Sequence, residues 1–97
     1  MVRHVVLFTW KAGTTAEQIA AAAAGLRSLP AQISSIKAYT CGSDLSLGEP
    51  RWDFAIVADF DDADGWRDYD QHAAHDEVRQ HLVTPLVETR ASVQFDL

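Results

Sequence analysis

The chain has 97 residues and a mass of 10.7 kDa, enough for one small core and too short for an added cofactor-binding domain. Eight Lys and Arg against fourteen Asp and Glu leave a net charge of -6, which supplies no basic surface for DNA or RNA. Hydrophobic residues make up 47% and charged residues 23%, a balance that favours folding, and the one cysteine, Cys41, excludes an internal disulfide or multi-thiolate metal site. The apolar opening Val5 to Phe8 is too short for a signal-peptide core. The run Ile19 to Ala24 is far below membrane-spanning length, so the expectation is a soluble cytoplasmic protein with no membrane partner.

Val2 to Trp10, dense in β-branched and aromatic residues, predicts a first strand that ends in the turn-forming segment Lys11 to Thr15. Capping-box spacing, in Thr14 with Glu17 or Thr15 with Gln18, then opens a helix over Ala16 to Leu29, ended by Pro30. Its stripe runs through Ile19, Ala22, Ala23, Leu26 and Leu29, and the alanines leave a thin surface that permits close approach or lines a cavity. Ile33 to Thr40 predicts a second strand and Cys41 to Pro50 the longest loop. From Trp52 to Phe60 apolar residues alternate strictly, which predicts a third strand. Asp61, Asp62 and Asp64 begin a helical region carrying Trp66, Tyr69, His72 and His75, continued through Val78 and Leu82 toward Pro85. Ala91 to Leu97 closes the chain as a fourth strand.

The order βαββαβ predicts an α+β, ferredoxin-like fold with one domain over residues 1–97: a mostly antiparallel sheet with helices on one face. The other face would carry Val5, Leu7, Ala55 and Val57, and no helix is left to cover it. A homodimer packed sheet to sheet is therefore expected.

Three residues draw attention as proton-transfer groups. His4 has the parity of Val6, Phe8 and Trp10, which places it at the edge of the helix-covered side. Tyr69 and His75 lie on one side of the second helical region if it stays helical, so a phenol and an imidazole converge there. Imidazole titrates near neutrality and accepts protons, while a tyrosine hydroxyl donates to a carbonyl oxygen gaining charge. A competing reading gives His4 a structural place at the core edge and leaves the helix histidines facing solvent.

His72 stands four residues after Asp68 and four before Asp76, but the HExxH pattern is absent and no third ligand is defined, so no metal is assigned. Asp61 and Asp62 suit a helix start, His81 reads as a surface or packing residue, and Cys41 as an inert thiol. The glycines form neither a Walker loop nor a dinucleotide fingerprint. Trp10, Trp52 and Trp66 are core anchors or pocket walls.

Several segments in order resemble the stress-responsive dimeric α/β-barrel (Dabb) family: His4-Val5-Val6-Leu7-Phe8, the Leu-Arg-Ser-Leu-Pro stretch Leu26 to Pro30, the strand Trp52 to Phe60, Tyr69 to His75, and Val93-Gln94-Phe95-Asp96-Leu97. The resemblance covers nearly the whole chain and implies two ferredoxin-like subunits joined through their sheets into a dimeric α/β-barrel. Most members have no established reaction. One enzymatic relative is a plant polyketide cyclase that forms olivetolic acid by intramolecular aldol condensation.

That likeness carries His4, Tyr69 and His75 onto its strand histidine, catalytic tyrosine and helix histidine, with His72 at the first histidine of a His-Pro-Ala-His motif whose proline is here Ala73. Phe54 stands where the cyclase has a further histidine, and its helix-one tyrosine falls at Ala23 and Ala24. The resemblance implies a stress-associated protein that binds a small apolar, aromatic or polyketide-like carbonyl metabolite, with Trp52, Phe54, Trp66 and His72 as ligand contacts and no cofactor. Alternatives are a cofactor-independent cyclase, lyase or isomerase with His75 as base, Tyr69 as orienting group or donor and His4 as positioning group, and a cofactor-independent monooxygenase.

Overall fold

The structure is a computed structural model describing residues 1–97. Its elements are β1 (Val2–Trp10), α1 (Ala16–Arg27), β2 (Ala38–Ser43), β3 (Phe54–Phe60), α2 (Ala63–Gln71), α3 (Ala73–Val78) and β4 (Val87–Asp96). A 3₁₀ turn at Leu29–Ala31 follows α1, and a π-helical turn at Arg79–Val83 and a 3₁₀ turn at Thr84–Leu86 link α3 to β4. The strands form one sheet in the order β2-β3-β1-β4, every neighbouring pair antiparallel. This is the α+β, ferredoxin-like βαββαβ fold expected from the element order. No helix is long and apolar enough to cross a membrane.

Alternation in β1 and β3 splits the sheet into two chemically different faces. His4, Val6 and Phe8 from β1 and Phe54, Ile56, Ala58 and Phe60 from β3 are buried under the helices. The intervening residues lie on the opposite face, where Val5 pairs with Val57 and Val93, and Leu7 with Ala55 and Ala91. In β4 the polarity is inverted: Arg90, Ser92 and Gln94 sit opposite the inward residues Phe8, Val6 and His4, while Val93 and Phe95 belong to the bare face. Val93 and Phe95 stay 55% and 46% exposed, so the apolar side of this edge strand has no cover within the chain.

Of the two capping-box pairs legible in the sequence, Thr15 with Gln18 forms. The Gln18 amide donates to Thr15 Oγ1 at 3.1 Å and the Thr15 amide donates to Gln18 Oε1 at 2.9 Å, while the Thr14 hydroxyl donates to the Lys11 carbonyl. The small face of α1 serves close approach. A Cβ on Gly25 would stand 2.6 Å from Leu82 Cδ1, so the helix lies against the π-helical turn in a way no larger residue permits without displacement. At the start of α2, Asp62 caps by accepting from the Gly65 amide at 2.8 Å.

The structure corrects four boundaries. Helix α1 ends at Arg27, two residues before Leu29, and Pro30 lies inside the 3₁₀ turn that follows. The second strand is Ala38–Ser43, displaced from Ile33 to Thr40, because Ile33 and Ile36 are 1% and 9% exposed and fill the core from a turn. Cys41, Gly42 and Ser43 pair with Ile56, Ala55 and Phe54, so the loop runs from residue 44 to 53. The last strand begins at Val87, four residues before Ala91, since its pairing with β1 continues to Trp10 across an irregularity after Thr9.

Candidate functional site

The helical region expected to run from Asp61 through Val78 is broken at His72, whose backbone is extended (φ -67°, ψ 139°). One residue thus ends α2 and starts α3, and its Nδ1 accepts from the Ala74 amide at 3.0 Å. With that nitrogen engaged, His72 works as a cap, and the helical spacing to Asp68 and Asp76 does not carry through the break. No three His, Cys, Asp or Glu side chains come together to hold a metal ion.

The break folds α3 back on α2. His75 Nδ1 donates to the Asp70 carbonyl at 3.1 Å, and its ring stacks on Tyr69 with centroids 4.2 Å apart. A carbonyl only accepts, so the proton of a neutral His75 is held on Nδ1 and Nε2 remains the basic nitrogen, without a protein partner. Burial holds the His75 pKa below its ordinary value.

Tyr69 is 2% exposed, wedged between His75, Phe60 (5.2 Å) and His4 (6.0 Å). Burial pushes its phenol up to about 12, which keeps it protonated and able to donate. Near it lies the buried Tyr39 hydroxyl, shifted upward first by burial and then by the neighbouring Tyr69. His4, 4% exposed, lies 2.8 Å through Nδ1 from Gln94 Nε2 and 5.9 Å in centroid distance from Trp66. Its pKa falls to about 4, first through burial and then through the positive charge of Arg90.

These three residues share one cavity of about 330 Å³ between sheet and helices. Its apolar wall includes Val6, Phe8, Leu26, Ile56, Val83 and Val87, and the polar residues Asp70, Arg79, Thr84 and Arg90 complete the lining. The cavity does not include every residue expected to contact a ligand. Trp66 packs behind His4 with its indole N–H buried and unpartnered. Phe54 is a core residue between Phe8 and Trp10, with centroids 6.4 and 5.4 Å away. Trp52, together with Phe54, lines a separate surface hollow that also takes in Leu7, Arg51 and Ala55. Two aspartates near these elements are held by arginines: Asp59 takes two 2.8 Å bonds from Arg3, and Asp64 one from Arg67. His81 lies 3.5 Å from Glu77 on the exposed surface, and Cys41 is half-buried in β2.

Arg79, Arg90 and Gln94 were not distinguished by sequence reasoning. The signal was the parity Arg90, Ser92, Gln94 in the last strand, which becomes informative only once β4 is registered against His4, Val6 and Phe8.

A neutral buried His4 has a measurable consequence. Its folded pKa, about 4, lies below the unfolded value near 6.5, so the unfolded chain binds more protons between these limits. Folding stability is therefore expected to fall as pH drops from about 6.5 to about 4, by up to about 1.4 kcal/mol per pH unit from this group. Urea unfolding across that range should show a shallower slope in His4→Gln. An unchanged slope would assign the acid sensitivity elsewhere; the Arg3-paired Asp59, held below the ordinary carboxylate range, titrates further down.

Residues 2–97 match the model of the stress responsive A/B barrel domain. The chain belongs to the stress-responsive α/β-barrel (Dabb) family. An uncharacterized Streptomyces coelicolor protein is 34% identical over 77 residues, covering 77% of this chain and 79% of its own. A dimeric ferredoxin-like protein of unknown function from Thermobifida fusca superposes with a TM-score of 0.91 at 38% identity, over 99% of this chain and 90% of its own. A hydroxynitrile lyase from Passiflora edulis has a TM-score of 0.86 over 99% of this Dabb chain and 92% of its own; at 20% identity the likeness is one of fold.

Proposed function

We propose that this Dabb protein acts as a homodimer, one domain per chain, that binds a small apolar or aromatic carbonyl metabolite in the cavity between sheet and helices, in a cytoplasmic setting. The observation that carries the binding reading is the cavity itself, whose apolar wall leads to two neutral imidazoles and a protonated phenol. Its volume of about 330 Å³ falls at the small end of ligand sites, about 300–1,000 Å³. Dimerisation is supported by the uncovered apolar sheet face and by the dimeric relative from Thermobifida fusca.

His75 favours a second, catalytic reading of the same site. A base that removes a proton beside a carbonyl needs an unprotonated nitrogen held in one tautomer, and the Asp70 carbonyl supports that state of Nε2. Nε2 takes the proton from carbon, the C–H electron pair moves to form the enolate, and the Tyr69 hydroxyl donates to the oxygen that gains charge. His4 positions the polar end of the ligand. Such a step serves cyclases, lyases and isomerases alike, the aldol chemistry of a polyketide cyclase included.

An aryl methyl ketone such as 2-acetylnaphthalene in D₂O separates the two readings. Binding followed by NMR, with deuterium entering the methyl group in the wild type and not in His75→Ala, supports catalysis; Tyr69→Phe should slow exchange about 100-fold. Saturable binding with no exchange leaves the binding protein alone. Absence of binding to this and related aryl ketones overturns the pocket reading.

A further inference from the structure

The arginines of this chain are mostly committed. Arg3, Arg51, Arg67 and Arg79 have carboxylate partners within 4 Å, and Arg27 donates to the Cys41 carbonyl. Arg90 differs: it lines the cavity while remaining exposed to solvent, and its side chain donates to the Ser92 hydroxyl at 3.3 Å. No carboxylate pairs with it, although acidic residues outnumber basic ones fourteen to eight. A guanidinium with no carboxylate partner, beside a cavity with an apolar wall, offers a planar fork of donors that matches a carboxylate.

We infer that the cavity takes an organic acid, a small apolar or aromatic body bearing a carboxylate that Arg90 binds at the cavity wall. This deepens the proposed pocket and rests on it. Three placements support the assignment. Register puts Arg90 opposite Phe8, on the side of the sheet that carries His4 and Val6. The other cavity arginine, Arg79, is already 2.8 Å from Asp76 and 3.9 Å from Asp70, so its charge is largely answered. The charge of Arg90 is felt deep in the site, where it disfavours the protonated form of His4.

The geometry also fits the proposed proton transfer. An acid held at Arg90 leaves its apolar portion among Val6, Phe8 and Ile56, in the cavity that His75 and Tyr69 also line.

The test compares naphthalene-2-carboxylate with neutral 2-acetylnaphthalene by titration calorimetry on the untagged full chain. The carboxylate is expected to bind about 2- to 5-fold more tightly, the worth of one ion pair open to solvent. That preference should shrink with added salt and vanish in Arg90→Gln, while the ketone binds wild type and Arg90→Gln alike. Circular dichroism and sedimentation of the variant check that fold and assembly are retained. If both compounds bind equally, or the ketone better, the acid preference is wrong and the pocket stands. If the preference survives in Arg90→Gln and is lost in Arg79→Gln, the anion sits on Arg79 and the assignment to Arg90 fails. Binding of neither compound overturns the pocket and this inference together.

Discussion

Val57→Asp is expected to convert the protein from a dimer into a folded species of 10.7 kDa at micromolar concentration. Val57 lies in the middle of the bare face, next to Val5 on β1 and Thr40 on β2, and Val5 in turn adjoins Val93 on β4. In a two-fold interface built on this face the substitution enters twice, once from each subunit. Each carboxylate would be enclosed in a mainly apolar face whose arginine, Arg3, is already bonded to Asp59, a cost of several kcal/mol per ion. Every 1.4 kcal/mol is a factor of ten in the dissociation constant, so dimer affinity should fall by about 100-fold or more. Sedimentation equilibrium reads the mass, and circular dichroism checks that the monomer is folded. A wild-type protein that sediments only as the 10.7 kDa species would remove the dimer proposal; a variant that stays dimeric would move the interface to another surface.

Phe60→Ala should cost about 3–5 kcal/mol of stability, the usual range for removing a buried phenyl ring. Phe60 is fully buried at the end of β3, and its ring lies 5.2 Å from that of Tyr69. The loss is a large part of the roughly 5–15 kcal/mol that holds a typical domain together. A lower urea midpoint with little change in slope is the expected signature. The same cavity removes one of the supports of Tyr69, on whose face His75 stacks, so ligand affinity should weaken even where the variant is folded. A stability change below about 1 kcal/mol would mean that the surrounding side chains close the space the ring leaves, and would overturn this reading of Phe60.

Elements with strong local periodicity were legible. β1 has its expected limits, β3 falls within the alternating stretch, and the Thr15–Gln18 box opens α1. The second strand was misplaced because Ile33 and Ile36 resemble strand residues, whereas their side chains plug one end of the core from a turn. Cys41, Gly42 and Ser43 carry little strand propensity and are extended because the edge of β3 is available to pair with them. The helical break was hidden for a similar reason. Ala73 and Ala74 favour a continuous helix, but a stop at His72 is stabilised by its own Nδ1 on the next turn and by the return of His75 onto Asp70 and Tyr69.

In the site, parity in β1 marked the inward side for His4, and residue type marked Tyr69 and His75 as proton-transfer groups. Their meeting in one cavity depends on packing between elements distant along the chain. Trp52 and Phe54 are as aromatic as any pocket wall, yet they line a separate hollow and not the cavity of His4, Tyr69 and His75. Arg90 looks like any other arginine until β4 is placed in register beside β1. The sequence by itself determined the element order, the two-faced sheet and the family, because alternation, capping and ordered landmarks are local properties of neighbouring residues. Only the tertiary structure decided the tautomer of His75, the extent of the cavity and the free guanidinium on its wall, because strand register and the fold of α3 onto α2 are set by contacts between distant parts of the chain.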